Sequence, residues 1–567
     1  LENFQISGIK FAFPFGRSFI EALGIIKFSA ASANQKLKLL EPKKANAIKL
    51  SSKDVISGKF DSQFPLDIFQ TGSGTSTNMN ANEVIANLAT KKARIKINPN
   101  DHVNMSQSSN DVIPTAICIS ALLDTQRLLM PALEHLIKTI DKKGVSLRGK
   151  VKTGRTHLMD AMPIDFSQEL SGWSAQLQSA RKSLISASKE LLSLPQGGTA
   201  IGTGINAHKD FGKIFALEVK KLSKLDVKTS GNYYKSLSSQ DAAAQLSSSV
   251  KNLSLILMKI SNDLRWMNSG PLTGLGEIEL EALQPGSSIM PGKVNPVIPE
   301  AVAMACADVI GNDVSVSIGT QSGNFQLNVM LPVIAYNLLK SINLMSTSMP
   351  LLANKAIKTF KVNDANISES LGKNPILVTA LNREIGYEKA AQIAKKAYKE
   401  KRAIIDVAHE ETGLPIKKLK LLEQNIPSSG VAYIEASSLG EISPLDFEWS
   451  HPFVYHAGVK IGWYRLKTES EFNIKKEFFD AYEEILEENE NKLMKTSKRV
   501  RPLFFILSCI TFGSTAVIAN IKEERASNII MLWPKDGVSQ DTTGMGTPRP
   551  DRGDGHIRLT DVTKPSI

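Results

Sequence analysis

Two stretches of this sequence repeat apolar residues at alternating four- and three-residue spacing. The first is Phe166, Leu170, Trp173, Leu177, Ala180, Leu184, Ala187, Leu191 and Leu194. The second is Leu246, Val250, Leu253, Leu257, Ile260, Leu264 and Met267. Such a seam stays on one face only if the backbone is an α-helix. The spacing predicts long helices from near residue 166 and from about residue 240. Leu255, Ile256 and Met258 add apolar surface outside the second seam. That helix is therefore expected to be buried on most sides and to pack against other subunits. Further helices are predicted over 20–40 and 82–89, from near Pro114, and over 300–319 and 324–349, the last kinked at Pro332. No period-2 strand series of any length stands out. The expected fold class is all-α, with a central bundle of long helices.

The chain has 567 residues, room for several domains and a large core. The expected divisions are an N-terminal domain at 1–107, the helical bundle at 108–360, a small helical domain at 361–425 and an extension at 426–567. Within the extension, 471–497 reads as a charged helix. A basic stretch follows, and then 502–521 runs for twenty residues without a charge. That length crosses a bilayer, so a membrane anchor is expected there, against a buried or interfacial helix or a fusion artefact. Residues 536–567, rich in Gly, Pro, Asp and Thr, read as a flexible tail. The formal charge is +12, but the lysines are dispersed and no zinc finger or aromatic-basic RNA motif is present. A solvated surface that steers a small anion is expected rather than a nucleic-acid site. Cys118, Cys306 and Cys509 lie too far apart for a disulfide framework or a metal-ligand spacing. Such usage fits a reducing compartment, and the cytoplasm is expected. The stretch FAFPFGRSFI lacks the basic region and cleavage site of a signal peptide. The first residue is Leu1, and a truncated start is expected.

Four polar loops interrupt the helical pattern. Residues 71–83, TGSGTSTNMNANE, offer glycines and hydroxyls that suit an anion held by backbone N–H groups. Ser108, Ser109 and Asn110 precede a helix, where such residues are either N-caps or ligands for a carboxylate. His157 sits with Thr156 and Asp160 in the polar loop 152–163, rather than on an apolar face. Residues 286–296, GSSIMPGKVNP, break any helix or central strand, then feed the strong helix former EAVAMACADVI. A polar loop leading into a helix N-terminus suits an anionic ligand. One composite site built from all four loops is expected. With no metal cluster, P-loop or Gly-x-Gly-x-x-Gly motif in the sequence, neither metal nor cofactor is expected.

The string GSSIMPGKVNP resembles the signature loop of the fumarase/aspartase superfamily, in the form used by class II fumarases. LENFQISG at 1–8 and LVTALNREIGYEKAAQIAKKAYKE at 377–400 are similar to other segments of that family. The resemblance spans roughly 1–424. It implies a three-domain, all-α fold whose central helices build a tetrameric core, with each active site shared by three subunits. It also implies reversible hydration of fumarate to L-malate in the tricarboxylic acid cycle, by anti addition of water through a carbanion-like intermediate.

By the same resemblance, Ser287 matches the base that removes the carbon-bound proton. Free serine is a weak base, so its alkoxide needs nearby N–H groups and Lys293. Lys293, Val294 and Asn295 match the positions that hold a substrate carboxylate and the developing charge. His157, with Glu300 as partner, matches the group that activates water. Ser73, Gly74, Thr75, Ser108, Ser109, Asn110, Thr156 and Ser288 match carboxylate-binding positions. One departure is Asn98 in Asn98-Pro99-Asn100-Asp101, where the family often carries a histidine in a secondary anion site. The rival reading on this scaffold is an aspartate ammonia-lyase. Gly292 and His157 favour the fumarase, since many aspartases carry Ala and Gln at those places. Argininosuccinate and adenylosuccinate lyases differ around Lys293. A rival of another class is a non-catalytic scaffold tethered by the extension, against which Ser287, Lys293, Asn295 and His157 all stand.

Overall fold

The structure, a computed structural model, describes residues 13–400 and 402–419 and the segments 447–449, 454–456, 459–461 and 464–466. Contacts divide the chain into two units, Leu1–Ile426 and Pro427–Ile567. The first unit is helical: α1 Arg17–Lys36, α2 Pro42–Ile56, α3 Thr75–Ala93, α4 Ser109–Asp124 and α5 Met130–Ser146. A hairpin of β1 Val151–Thr156 and β2 Met159–Asp165 follows, and then α6 Phe166–Glu190, α7 Phe211–Ser223, α8 Tyr233–Ser238 and α9 Asp241–Met267. The long helices α10 Val297–Gln321 and α11 Leu331–Leu352 complete the bundle. The short helices α12 Asp364–Lys373, α13 Asn382–Ile385, α14 Tyr387–Glu400 and α15 Ile404–Thr412 come last.

The two seams do what their spacing demands. On α6 every seam residue from Phe166 to Ala187 is buried, and on α9 every one from Leu246 to Met267 is buried. Burying each large apolar side chain stabilises the fold by roughly 1.5–3 kcal/mol, so these rows dominate the central packing. They join one large core with α1, α4, α5 and α11. A second, separate core forms from Leu377, Val378, Leu381, Ala390, Ile393, Ala397, Ile404, Val407, Ala408 and Leu419.

Outward faces of the bundle stay apolar. Leu255 on α9, and Met304, Val314 and Ile318 on α10, are each about half exposed or more. By length and composition α10 could cross a membrane, but only a third of its most apolar window is buried here.

Several local expectations are corrected. The 71–83 stretch is not a loop throughout, because α3 begins at Thr75. Its polar residues are held inside: Gln70 bonds Thr77, and Asn80 Nδ2 donates to the Gln63 carbonyl at 3.0 Å. The helix expected near Pro114 starts five residues earlier, where Ser108 and Asp111 form a capping box. Residues 323–328 form a tight strand pair rather than the start of α11. Pro332 then falls in the first turn of α11, where its missing N–H is harmless, so it causes no kink. The 152–163 loop is a β-hairpin, against the expectation of no strands. Its buried positions are the polar neighbours Lys152 and Thr153, so no apolar alternation announces it.

In the second unit, Val454–His456 pairs antiparallel with Val459–Ile461, and Tyr464–Leu466 with Phe447–Trp449. The expected charged helix at 471–497, the membrane span at 502–521 and the tail at 536–567 lie outside the described residues.

Candidate active site

The first two loops meet within one chain. Gly74 caps α3 with φ of 70°, a conformation that glycine adopts without strain. A Cβ on Gly74 would press on the Ile113 side chain of α4 at 2.9 Å, so the two loops are in close contact. Ser73 is buried, and its hydroxyl lies 2.7 Å from that of Thr75. On the second loop the Ser108 hydroxyl accepts from the Asn110 N–H at 3.2 Å and caps α4. The Asn110 side chain donates to the Ala200 carbonyl at 2.8 Å, which docks the glycine-rich segment 196–206 onto this loop. The Ser109 hydroxyl accepts from Asn78 Nδ2 at 3.0 Å.

Two buried charges stand behind these loops. Asp111 accepts from the N–H groups of Ser108, Gly197 and Thr199 at 2.9, 3.1 and 2.9 Å. Burial pushes its carboxyl up to about 6, although those N–H groups and the Lys27 charge work the other way. Lys27 on α1 has no exposed surface. Its ammonium donates to Asn78 Oδ1 at 2.7 Å and to Asn104 Oδ1 and Gln107 Oε1 at 3.0 Å each. Burial brings it down to about 7, against the attraction of Asp111.

The third loop is the hairpin tip. Thr156 pairs with Met159, which leaves His157 and Leu158 as a two-residue turn with φ of 55° and 62°. Positive φ at both central residues is the type I′ pattern that matches the twist of the strands. His157, Thr156 and Leu158 are all exposed. The hairpin is fixed by Glu277, which accepts from Lys152 near the base at 2.8 Å and pairs with Arg155, one residue before the pair that closes the turn. Lys152 also reaches Glu169 on α6 at 2.8 Å.

The fourth loop closes on itself. The Gly286 N–H donates to the Lys293 carbonyl at 2.8 Å, and Asn295 Nδ2 donates to the Gly286 carbonyl at 2.8 Å. Within that ring the Ser287 hydroxyl oxygen accepts from the N–H groups of Ile289 at 3.2 Å and Met290 at 3.0 Å. Lys293 Nζ donates to Asn295 Oδ1 at 2.8 Å. Ser288, Lys293 and Val294 are exposed, and Glu300 lies half-buried in the first turn of α10.

Three groupings result. The 72–75 and 108–110 loops, with Ser73, Gly74, Thr75, Ser108, Ser109 and Asn110, form one surface. Thr156 and His157 form a second, and Ser287, Ser288, Lys293, Val294 and Asn295 a third. Among the described residues, no hydrogen bond or ion pair joins the second or third group to the first, and none links His157 to Glu300. Lys293 contacts Asn295 rather than Ser287. Asn98 folds its amide oxygen back onto the N–H groups of Asn100 and Asp101 at 2.8 and 3.0 Å, capping its own turn. Among the described residues no cluster of three or more His, Cys, Asp or Glu is placed to hold a metal. Sequence reasoning missed Lys27, Asn78, Asp111 and Glu277. Lys27 carried one signal: it is the only charge between Glu21 and Lys36, in a run of apolar and small residues.

Residues 2–311 match the lyase family, and residues 377–422 match the fumarase C C-terminal family. The chain is 54% identical over 435 residues to the class II fumarate hydratase of Xylella fastidiosa, covering 76% of this chain and 91% of that protein. It is 54% identical over 422 residues to class II fumarate hydratase 2 of Pseudomonas aeruginosa, covering 74% and 91%. The crystal structure of recombinant class II fumarase from Schistosoma mansoni superposes with a TM-score of 0.72 at 36% identity, covering 75% of this chain and 93% of that one.

Proposed function

This chain belongs to the class II fumarate hydratases, and on that premise we propose that it interconverts fumarate and L-malate as a carbon–oxygen lyase. The observation that carries the reading is the Ser287 hydroxyl, which receives two backbone N–H groups inside the self-closed signature loop. Donors aimed at an oxygen favour its charged form, which a serine needs if it is to act as a base.

In the direction of dehydration, Ser287 takes the proton from the carbon of malate next to the hydroxyl-bearing carbon. The electron pair left on that carbon delocalises into the adjacent carboxylate, giving a doubly charged enolate-like group. In this reading Lys293 and Asn295 are the donors that hold that charge, and such preorganised stabilisation is usually the largest catalytic contribution. The C–O bond then breaks, and His157, with Glu300 as its partner only once subunits assemble in this reading, gives the leaving hydroxide its proton. The products are fumarate and water. Ser73, Thr75, Thr156, Ser108, Ser109, Asn110 and Ser288 supply hydroxyl, amide and backbone donors for the substrate carboxylates. Hydration runs the same steps in reverse.

The site is assembled from three subunits of a homotetramer in this reading. Its support is that the four loops fall into three separate groups within one chain. The half-exposed apolar residues Met304, Val314, Ile318 and Leu255 on the long helices fit a core shared among subunits. We place the enzyme in the cytoplasm, a reading supported by the buried free thiols of Cys118 and Cys306.

The test is ultraviolet absorbance at the fumarate band, with the full chain given L-malate in one cuvette and L-aspartate in another. A rise with malate alone is expected. A rise with aspartate alone would change the leaving group and overturn the hydratase reading. Sizing of the same sample should give four subunits, and an active monomer would overturn the shared site.

A further inference from the structure

Lys27 is a cation in a place where a cation is expensive. It sits on the buried face of α1 with no exposed surface, and no carboxylate touches its ammonium. An unpaired buried charge costs several kcal/mol, so a fold keeps one only if its hydrogen bonds are satisfied. Here all three N–H groups are matched to three side-chain amide oxygens. The acceptors come from α3 (Asn78) and from the segment that leads into α4 (Asn104 and Gln107).

The orientation of Asn78 follows from this contact. An amide can point its oxygen or its nitrogen toward a neighbour, and a cation takes only the oxygen. With Oδ1 held by Lys27, Nδ2 must face the other way. It donates to Asn104 Oδ1 at 3.2 Å and to the Ser109 hydroxyl oxygen at 3.0 Å. Ser109 thus accepts through its oxygen, and its own proton is left to donate outward. Seven residues along the same helix face, Asn34 adds a second tie. Its Nδ2 donates to the Met105 carbonyl at 3.0 Å and its Oδ1 accepts from Ser106 at 2.9 Å.

We propose that Lys27 is a positioning residue for substrate binding: it fixes the Asn78 amide, which in turn directs the Ser109 hydroxyl toward a substrate carboxylate. This rests on the reading of Ser109 as a carboxylate ligand. Lys27 itself does not touch substrate. Below about pH 7, where Lys27 keeps its proton, that charge also strengthens the donors in front of it.

The experiment is a double-mutant cycle in the full chain, with L-malate as the variable substrate and tetramer content checked by sizing. Lys27→Met keeps the bulk and removes the charge. Asn78→Leu breaks the relay and leaves Lys27 two of its three acceptors. Each is expected to raise KM about tenfold with kcat within about threefold, the pattern of lost binding rather than lost chemistry. In a Ser109→Ala background neither should change KM by more than about twofold, because the hydroxyl they act through is gone. A full KM effect that persists in that background would show that Lys27 acts elsewhere in the fold, and would overturn the proposal. So would a KM within about twofold of wild type for the single variants. Should Lys27→Met fail to assemble, Asn78→Leu decides by the same criteria. Ser109→Ala alone reports on the premise: an unchanged KM would remove Ser109 from the site, and the relay would fall with it.

Discussion

At 108–111 the side chains of Ser109, Asn110 and Asp111 are each tied to a distant part of the chain. Asp111 takes N–H groups from 197 and 199, Asn110 reaches Ala200, and Ser109 is held through Asn78 by Lys27. At 286–296 the same residue types, Ser, Asn and a lysine, bond only within the loop and its following helix turn, and Ser288 and Lys293 face outward. The inner loop is finished by its own subunit and is therefore coupled to folding. The outer loop has its internal shape set and its surroundings left open, as the proposed assembly of the site from several subunits requires. Stability and catalysis should accordingly separate between the two regions.

The sharpest separation is expected at Ser287. Ser287→Ala should cut turnover by roughly two to four orders of magnitude while the thermal midpoint falls only a little, since Ser287 is half-buried and its hydroxyl accepts only from N–H groups of its own loop, a loss of about 1 kcal/mol. Steady-state kinetics beside a circular-dichroism melt read both. A loss of turnover under threefold would remove Ser287 from the mechanism and the contrast with it.

Asp111 should behave in the opposite way. Asp111→Ala strands three buried N–H groups and the neighbouring Lys27, a change worth about 3 kcal/mol or more of stability. The thermal midpoint should fall by several degrees. Activity per folded chain should fall less than for Ser287→Ala. A midpoint equal to wild type would mean that the inner loop does not depend on this carboxylate.

The buried pair also gives the inner loop a pH signature that the outer loop lacks. Lys27 sits at about 7 in the folded chain against 10.5 when free. Between those values the unfolded chain holds the proton that the folded chain has released, so raising the pH favours the folded state. Asp111, at about 6 against 3.8, has the reverse effect: the folded chain holds the extra proton, and stability falls as the pH rises from about 4 to 6. Melts of wild type and Lys27→Met across pH 7 to 10 should show wild type gaining relative to the variant. Parallel curves would place the Lys27 titration outside that range.

How much of this was legible in the sequence follows from the range of each interaction. The α6 and α9 seams could be read because helix periodicity is local, and every predicted seam residue on those helices is buried. The four polar stretches could be located because Gly, Pro, Ser and Asn cluster in them, although Ser and Asn also stand inside α3 and Pro114 inside α4. Their support could not be read. The acceptors of Lys27 lie 51, 77 and 80 residues away, and Lys152 meets Glu277 125 residues away. The hairpin was hidden for the same reason, since polar anchoring at its base rather than an apolar face holds it. The polar first half of α3 looked like loop because its hydroxyls and amides find partners only once the fold is formed.

A smaller effect tests whether the hairpin that carries His157 belongs with the inner or the outer region. Its strands are anchored inside, through Lys152, Arg155 and Glu277, but its tip is exposed. Leu158 holds φ of 62° at that tip, a conformation costly for any side chain with a Cβ and free for glycine. Leu158→Gly relieves this strain, yet it also loosens the unfolded chain, so the net gain in stability should be at most about 0.5–1 kcal/mol. If the tip is outer in character, the thermal midpoint should rise slightly while turnover falls, because a more mobile turn holds His157 less firmly. A lower midpoint with unchanged turnover would instead show that Leu158 packs against a partner subunit and that the tip is locked there on assembly.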